Sequence, residues 1–183
     1  MAARSRVGST ELILVKGDIT RQMVDAIVNA ANSGLMGGGG VDGAIHRAAG
    51  PRMTEECRQI VSKIGRLPAG KAVITRGGDL PAPYVIHTVG PVWNGGKHNE
   101  AATLASCYVE SLKIAAEYGL TSIAFPAIST GAYGYPPDKA AKIAVQAVKD
   151  YLASNAGSFK SVGFVVYDSV TYRIYETELA LQG

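Results

Sequence analysis

Between Asn29 and Gly50 the chain reads NAANSGLMGGGGVDGAIHRAAG, the densest set of residues that folding alone does not require. Glycines 37 to 40 are consecutive, and ordering such a run is costly, roughly 0.5–1 kcal/mol per glycine relative to alanine in regular structure. Bare backbone suits close approach of main-chain N–H groups to a ligand, and a helix opening near Asp42 adds partial positive charge that favours an anion. Asp42 and His46 are four apart and share one face of that helix, while Asn29 and Asn32 leave the end of the strand before it. Taken singly, these residues also fit a flexible loop, an N-cap at Asp42 and a packed histidine. Their convergence on one glycine loop favours a site.

A second stretch repeats this design. Strand Thr121 to Phe125 runs into PAISTGAYGYPPD, where Ser129, Thr130, Gly131 and Gly134 offer hydroxyls and accessible N–H groups suited to phosphate oxygens. Tyr133 is a candidate lid or stacking ring. Such loops at the carboxyl ends of strands are where open α/β sheets place ligands. Asp18, in Gly17-Asp18-Ile19-Thr20, is equally a turn cap and a ligand contact. His87 lies inside a strand and reads as a buried, hydrogen-bonded histidine, and Trp93 as a structural aromatic. Cys57 and Cys107 fall on apolar helix faces and read as core packing. Three distant histidines give no metal-ligand spacing, so no metal and no cofactor are expected.

Other chemistries fit poorly. Gly38, Gly40 and Gly43 satisfy G-x-G-x-x-G, but they follow a second strand after a long loop, with no acidic residue at the end of the next strand. The Walker lysine pattern and the G-x-S-x-G elbow are both absent. What remains is two phosphate-cradling loops, asparagines for sugar hydroxyls, and a carboxylate at the reaction centre, an inventory that fits a diphosphate flanked by two sugars.

The elements that must position these groups alternate along the chain. Strands are expected at Glu11–Lys16, around Ile27, at Lys71–Thr75, Tyr84–Val89, Thr121–Phe125 and Ser161–Tyr167. Helices are expected from near Asp42, at Met53–Ile64, Asn99–Tyr118, Asp138–Leu152 and at the end to about Leu181. This is one α/β domain over residues 1–183, with helices on both faces of a sheet and residues 1–9 as a flexible tail. With 47% apolar and 18% charged residues and a formal charge of +3, the composition is that of an ordinary globular domain. The mild charge lacks the basic stripe of a nucleic-acid binder. No apolar run approaches a membrane span or a signal peptide, so the expected location is soluble and cytoplasmic.

At these residues the sequence resembles the macrodomain family, specifically its MacroD-type branch of ADP-ribosyl-acceptor hydrolases. The motifs are GDIT at Gly17–Thr20, IVNAAN at Ile27–Asn32, GGGGVDGAIHRAAGP at Gly37–Pro51, IHTVGP at Ile86–Pro91 and PAISTGAYGYP at Pro126–Pro136. The resemblance implies a three-layer αβα sandwich on a mixed, mostly parallel sheet, binding ADP-ribose at the strand ends. Carried over by position, Asp18 would accept from the adenine amino group, the Ile19 N–H would meet the ring, and Tyr167 would stack on it. Gly38, Gly39, Gly40 and Val41 would face Ser129, Thr130, Gly131, Ala132 and Tyr133 across the diphosphate.

Asn29 and Asn32 would orient the distal ribose, Asp42 would position or deprotonate water, and His46 would support it. A carboxylate at a helix start is a weak base, so positioning of water should matter as much as proton abstraction. The implied activity is removal of mono-ADP-ribose from acidic side chains and deacetylation of O-acetyl-ADP-ribose. The implied partners are ADP-ribose, O-acetyl-ADP-ribose and mono-ADP-ribosylated proteins. A non-catalytic ADP-ribose reader and an RNA-binding or nuclease-regulating protein are the alternatives.

Overall fold

The structure is a computed structural model that describes all 183 residues. The strands are β1 (Ala2–Val7), β2 (Thr10–Lys16), β3 (Ala26–Ala31), β4 (Ala72–Arg76), β5 (Tyr84–Val89), β6 (Ser122–Phe125) and β7 (Ser161–Val166). The helices are α1 (Gly40–Ala49), α2 (Pro51–Ile64), α3 (Glu100–Glu117), α4 (Pro137–Ser154) and α5 (Ser169–Leu181), with a 3-10 turn at Ile19–Arg21. One sheet holds all seven strands in the order β1-β2-β7-β6-β3-β5-β4. Its five central strands are parallel, and β1 and β4 are antiparallel edges. The architecture is the expected mixed αβα sandwich.

Residues 2–7 are a strand, where the sequence led us to expect a flexible tail. Gly8, at φ 58, turns the chain so that β1 pairs with β2 from Ala2↔Val15 to Val7↔Thr10. Burial along β1 alternates between exposed and half-buried. A strand with only one half-covered face carries too few large apolar residues to announce itself.

Alternation along the parallel strands sorts the core into two layers. Val28, Ile86, Phe125 and Phe164 face α3, α4 and α5, where they meet Tyr108, Val145 and Tyr175. Ile27, Val85, Ala124 and Val165 face the opposite way, against Ile45 and Met53 of α1 and α2. Helix α2 begins at Pro51, after Gly50 at φ 83 breaks it from α1, because proline fits a first helical turn but not a helix interior.

The neighbours β3 and β6 are where these layers make an opening. They pair only at Ala26↔Ile123 and Ile27↔Ala124, so their carboxyl halves carry no register between them. The Asp25 carboxylate closes the amino end by accepting from the Thr121 and Ser122 N–H groups at 2.8 and 3.2 Å. The helix after β3 lies on one face and the helix after β6 on the other. This is a topological switch point, where an open α/β sheet forms a crevice.

Candidate functional site

A cleft of about 330 Å³ occupies that crevice. Asn32, Gly38, Gly39, Gly40, Val41 and Asp42 line one side; Ser129, Gly131, Ala132 and Tyr133 line the other. The floor holds Ala30, Ala31, Gly90, Ala127 and Ile128, which the residue-type argument passed over because small apolar residues carry no chemistry. Their signal was position: each lies at or just past a strand end.

Helix α1 starts at Gly40, so the run of glycines supplies both the loop and the first helical residue, and Asp42 lies in the first turn. The N-cap is Gly39, which makes no side-chain cap bond, and Asp42 is therefore not the cap. The opening N–H groups of α1 are left for a ligand. Gly43 closes this loop on its helix, since a Cβ there would collide with the Gly38 carbonyl oxygen. Asn32 Nδ2 donates to the Gly37 carbonyl at 3.0 Å and braces the loop from the strand side.

Asp42 is 6% exposed. Its Oδ1 accepts from Asn29 Nδ2 at 2.8 Å and has His46 Nε2 at 3.4 Å. Its Oδ2 is on the side of Gly38, where a Cβ would come within 3.3 Å of it. One oxygen is held and the other is available. His46 is fixed in turn through Nδ1 by Thr54 Oγ1 at 2.9 Å, which leaves its Nε2 turned toward Asp42.

Asn29 is placed differently from expectation. Strand β3 continues to Ala31, so Asn29 is inside the strand, fully buried under α1, and does not line the cleft. Its Nδ2 serves Asp42 and also approaches His87 Nδ1 at 3.2 Å, while its Oδ1 has no partner within the protein. His87 is buried and hydrogen-bonded, as read from its strand position. Burial, with the nearby His46 ring adding to it, pushes its imidazole down to about 3. Cys57 packs beside it, and burial first, then the charges of Asp42 and Glu56, push its thiol up to about 12; this is a packed thiol and not a nucleophile.

On the opposite wall Ser129 takes φ 67, a left-handed conformation rare for serine, and its buried Oγ has no protein partner. Strain of this kind concentrates at ligand sites. Gly90 is required beneath it, because a Cβ there would run into the Ser129 hydroxyl. Thr130 points away from the cleft and donates to the Ala127 carbonyl. Trp93 is structural: its ring meets Tyr135 at 4.6 Å with Lys139 Nζ over it, and its main-chain N–H donates to the Tyr133 carbonyl at 2.8 Å.

Asp18, Ile19 and Tyr167 lie outside the cleft lining, at the carboxyl ends of β2 and β7. Asp18 does cap its turn, with Oδ1 accepting from the Thr20 N–H at 2.9 Å and hydroxyl at 2.7 Å. The Thr20 hydroxyl, foremost, holds its carboxyl below the usual range. Its Oδ2 has only Arg21 at 3.7 Å and can accept again. The Ile19 side chain is core, and Tyr167 is 84% exposed with a free ring face. These residues, the Ser129 loop and the Asp42 loop follow β2, β7, β6 and β3 in turn along one edge. The carboxyl ends of β2 and β3, which lead into the Asp18 turn and the Asp42 loop, are three strand spacings apart, roughly 14 Å at about 4.8 Å each.

A crevice at the switch point of a mixed αβα sandwich, walled by an uncapped glycine-rich helix start and a strained serine loop, defines the class. The chain belongs to the macrodomain family: the Macro domain matches residues 28–144. A macro domain-containing protein of Listeria monocytogenes is 55% identical over 166 residues, covering 90% of this chain and 94% of that one. The O-acetyl-ADP-ribose deacetylase of Escherichia coli K12 is 53% identical over 174 residues, covering 95% and 98%. Among solved structures, a mutant of the Oceanobacillus iheyensis macrodomain with ADPR superposes with a TM-score of 0.95 at 40% identity, covering 100% of this chain and 98% of that one. No helix is long and apolar enough to cross a membrane.

Proposed function

We propose that this chain is an ADP-ribose-binding hydrolase that removes mono-ADP-ribose from acidic side chains of proteins and deacetylates O-acetyl-ADP-ribose, without a metal and in the cytoplasm. The observation that carries this is Asp42: a nearly buried carboxylate with Oδ1 tied to Asn29 and Oδ2 left open beside the uncapped start of α1. A module that only binds ADP-ribose needs the helix start and the Ser129 loop, but has no use for a carboxylate so held. The relative named O-acetyl-ADP-ribose deacetylase supports the same reading.

The ligand then runs along the strand ends. Adenine lies near Asp18, Ile19 and Tyr167, and the diphosphate between the Gly38–Val41 and Ser129–Tyr133 loops. The distal ribose lies over Asn32 and Asp42. Asp42 Oδ2 orients water against that ribose, and the bound diphosphate assists; a positioned general base contributes about 10²–10⁴-fold. In water labelled with heavy oxygen, hydrolysis of the protein ester puts the label into the ribose. Label in the released carboxylate instead would rule out attack at the ribose carbon.

The test is release of ADP-ribose from a protein mono-ADP-ribosylated on Glu or Asp, with wild type and Asp42→Ala compared while calorimetry follows their binding of free ADP-ribose. Wild-type turnover that falls about 10²–10⁴-fold in a variant that still binds is the expected result. Binding without turnover in wild type would make the chain a reader.

A further inference from the structure

The grip on Asp42 originates below the cleft, in groups that no ligand can touch. Asn29 and His87 face each other across β3 and β5, in the register Asn29↔His87, and both are fully buried. An amide nitrogen only donates, so the 3.2 Å approach of Asn29 Nδ2 makes His87 Nδ1 the accepting, unprotonated ring nitrogen. The ring hydrogen is then on Nε2, which donates to Thr75 Oγ1 at 2.9 Å. Burial keeps the ring neutral, and only a neutral ring can accept at Nδ1.

The outcome is a directed chain from β4 to α1. The Asn29 amide fixes the His87 tautomer, Thr75 Oγ1 accepts the Nε2–H and holds the ring in place, His87 Nδ1 takes one hydrogen of the amide, and the other goes to Asp42 Oδ1. The carboxamide has two nearly isosteric orientations, and the flipped one would set its oxygen against Asp42 Oδ1 and His87 Nδ1, two acceptors at once. His46, braced by Thr54, approaches the same Oδ1 from within α1.

We propose that His87, on β5, is a positioning residue for hydrolysis: with Thr75 it holds the Asn29 carboxamide in one orientation, which ties down Asp42 Oδ1 and reserves Oδ2 for the attacking water. This rests on the hydrolase reading above. His87 lines no part of the cleft, so its contribution belongs to the chemical step and not to binding.

The test compares wild type, His87→Leu and His87→Asn for kcat, KM and affinity for free ADP-ribose, with thermal melting to check folding. His87→Leu removes the acceptor and lowers kcat about 10–100-fold, as loss of a buried supporting bond does around other sites, with ADP-ribose affinity within about twofold. His87→Asn offers an amide oxygen close to the place of Nδ1 and recovers most of kcat. Wild-type kcat in His87→Leu, a loss of affinity equal to the loss of kcat, or a folded His87→Asn no better than His87→Leu would each overturn the proposal. Nitrogen NMR of the His87 ring is a readout independent of turnover. A bare Nδ1 and protonated Nε2 are expected, and the opposite tautomer would refute the chain of bonds even if His87→Leu failed to fold. If wild type shows no hydrolysis, the hydrolase reading fails and so does a catalytic role for His87, while the tautomer still reports on the bonds themselves.

Discussion

Ser129 concentrates the residue-scale argument. Its φ of 67 and its buried, unpartnered Oγ both work against folding, and Gly90 is kept bare to make room for that hydroxyl. A buried hydroxyl without a partner costs stability, whereas one bonded to a charged ligand group contributes about 1.5–3 kcal/mol. Ser129→Ala should therefore melt no lower than wild type and yet bind ADP-ribose at least about tenfold more weakly. Parallel melting curves and calorimetry decide it: a lower melting temperature with unchanged affinity would make the hydroxyl structural. Glycine is similarly specific at Gly43, where the obstacle is the Gly38 backbone oxygen and no side chain could move aside.

At the scale of elements, the loop between β5 and α3 shows how a wall of the cleft is kept in place. Glu100, at the start of α3, accepts from the N–H groups of Asn94, Gly96 and His98 at 2.8, 2.9 and 2.6 Å. Desolvation pushes its carboxyl upward, but these donors outweigh it and bring the carboxyl down to about 2. The loop so held carries Gly90 and Trp93, which brace Ser129 and Tyr133. Glu100→Gln should lower the melting temperature at neutral pH and weaken ADP-ribose binding. A depressed carboxyl stabilises the fold above its unfolded pKa of about 4.3 and loses that contribution as pH falls toward its folded value. The gap in melting temperature between wild type and Glu100→Gln should narrow from pH 6 to pH 3, and a constant gap would contradict this role.

For the whole molecule, the buried His87 couples the active-site scaffold to acid stability. It is neutral when folded, with its pKa near 3, and must take up a proton in the unfolded chain at about 6.5. Its contribution is complete above pH 6.5 and falls away between about 6.5 and 3, at roughly 1.4 kcal/mol per pH unit for one proton. Urea denaturation at a series of pH values should show that slope in wild type and a flatter one in His87→Leu. Equal slopes would mean that His87 is not held neutral.

Much of this protein was legible in its residues. Glycines 37–40 beside Asp42, and the Ser-Thr-Gly loop after β6, marked the two walls of the cleft, because bare backbone at strand ends has few other uses. Alternating strands and helices gave the sandwich, and the ordered motifs gave the family. Four features became visible only in three dimensions. The edge strand β1 lacks the apolar alternation of a buried strand, so pairing with β2, and not its own residues, makes it a strand. Asn29 turned out to lie within β3 and beneath the cleft, since where β3 ends depends on its pairing with β5 up to Ala31↔Val89. Thr130 turned away while Ala127 and Ile128 came to line the floor, because one chain direction through a turn exposes some residues and hides their neighbours. The Thr75–His87–Asn29–Asp42 chain joins residues up to 58 positions apart and exists only through sheet register. Local sequence specifies which groups are available; lateral strand pairing, a long-range property, decides which of them meet.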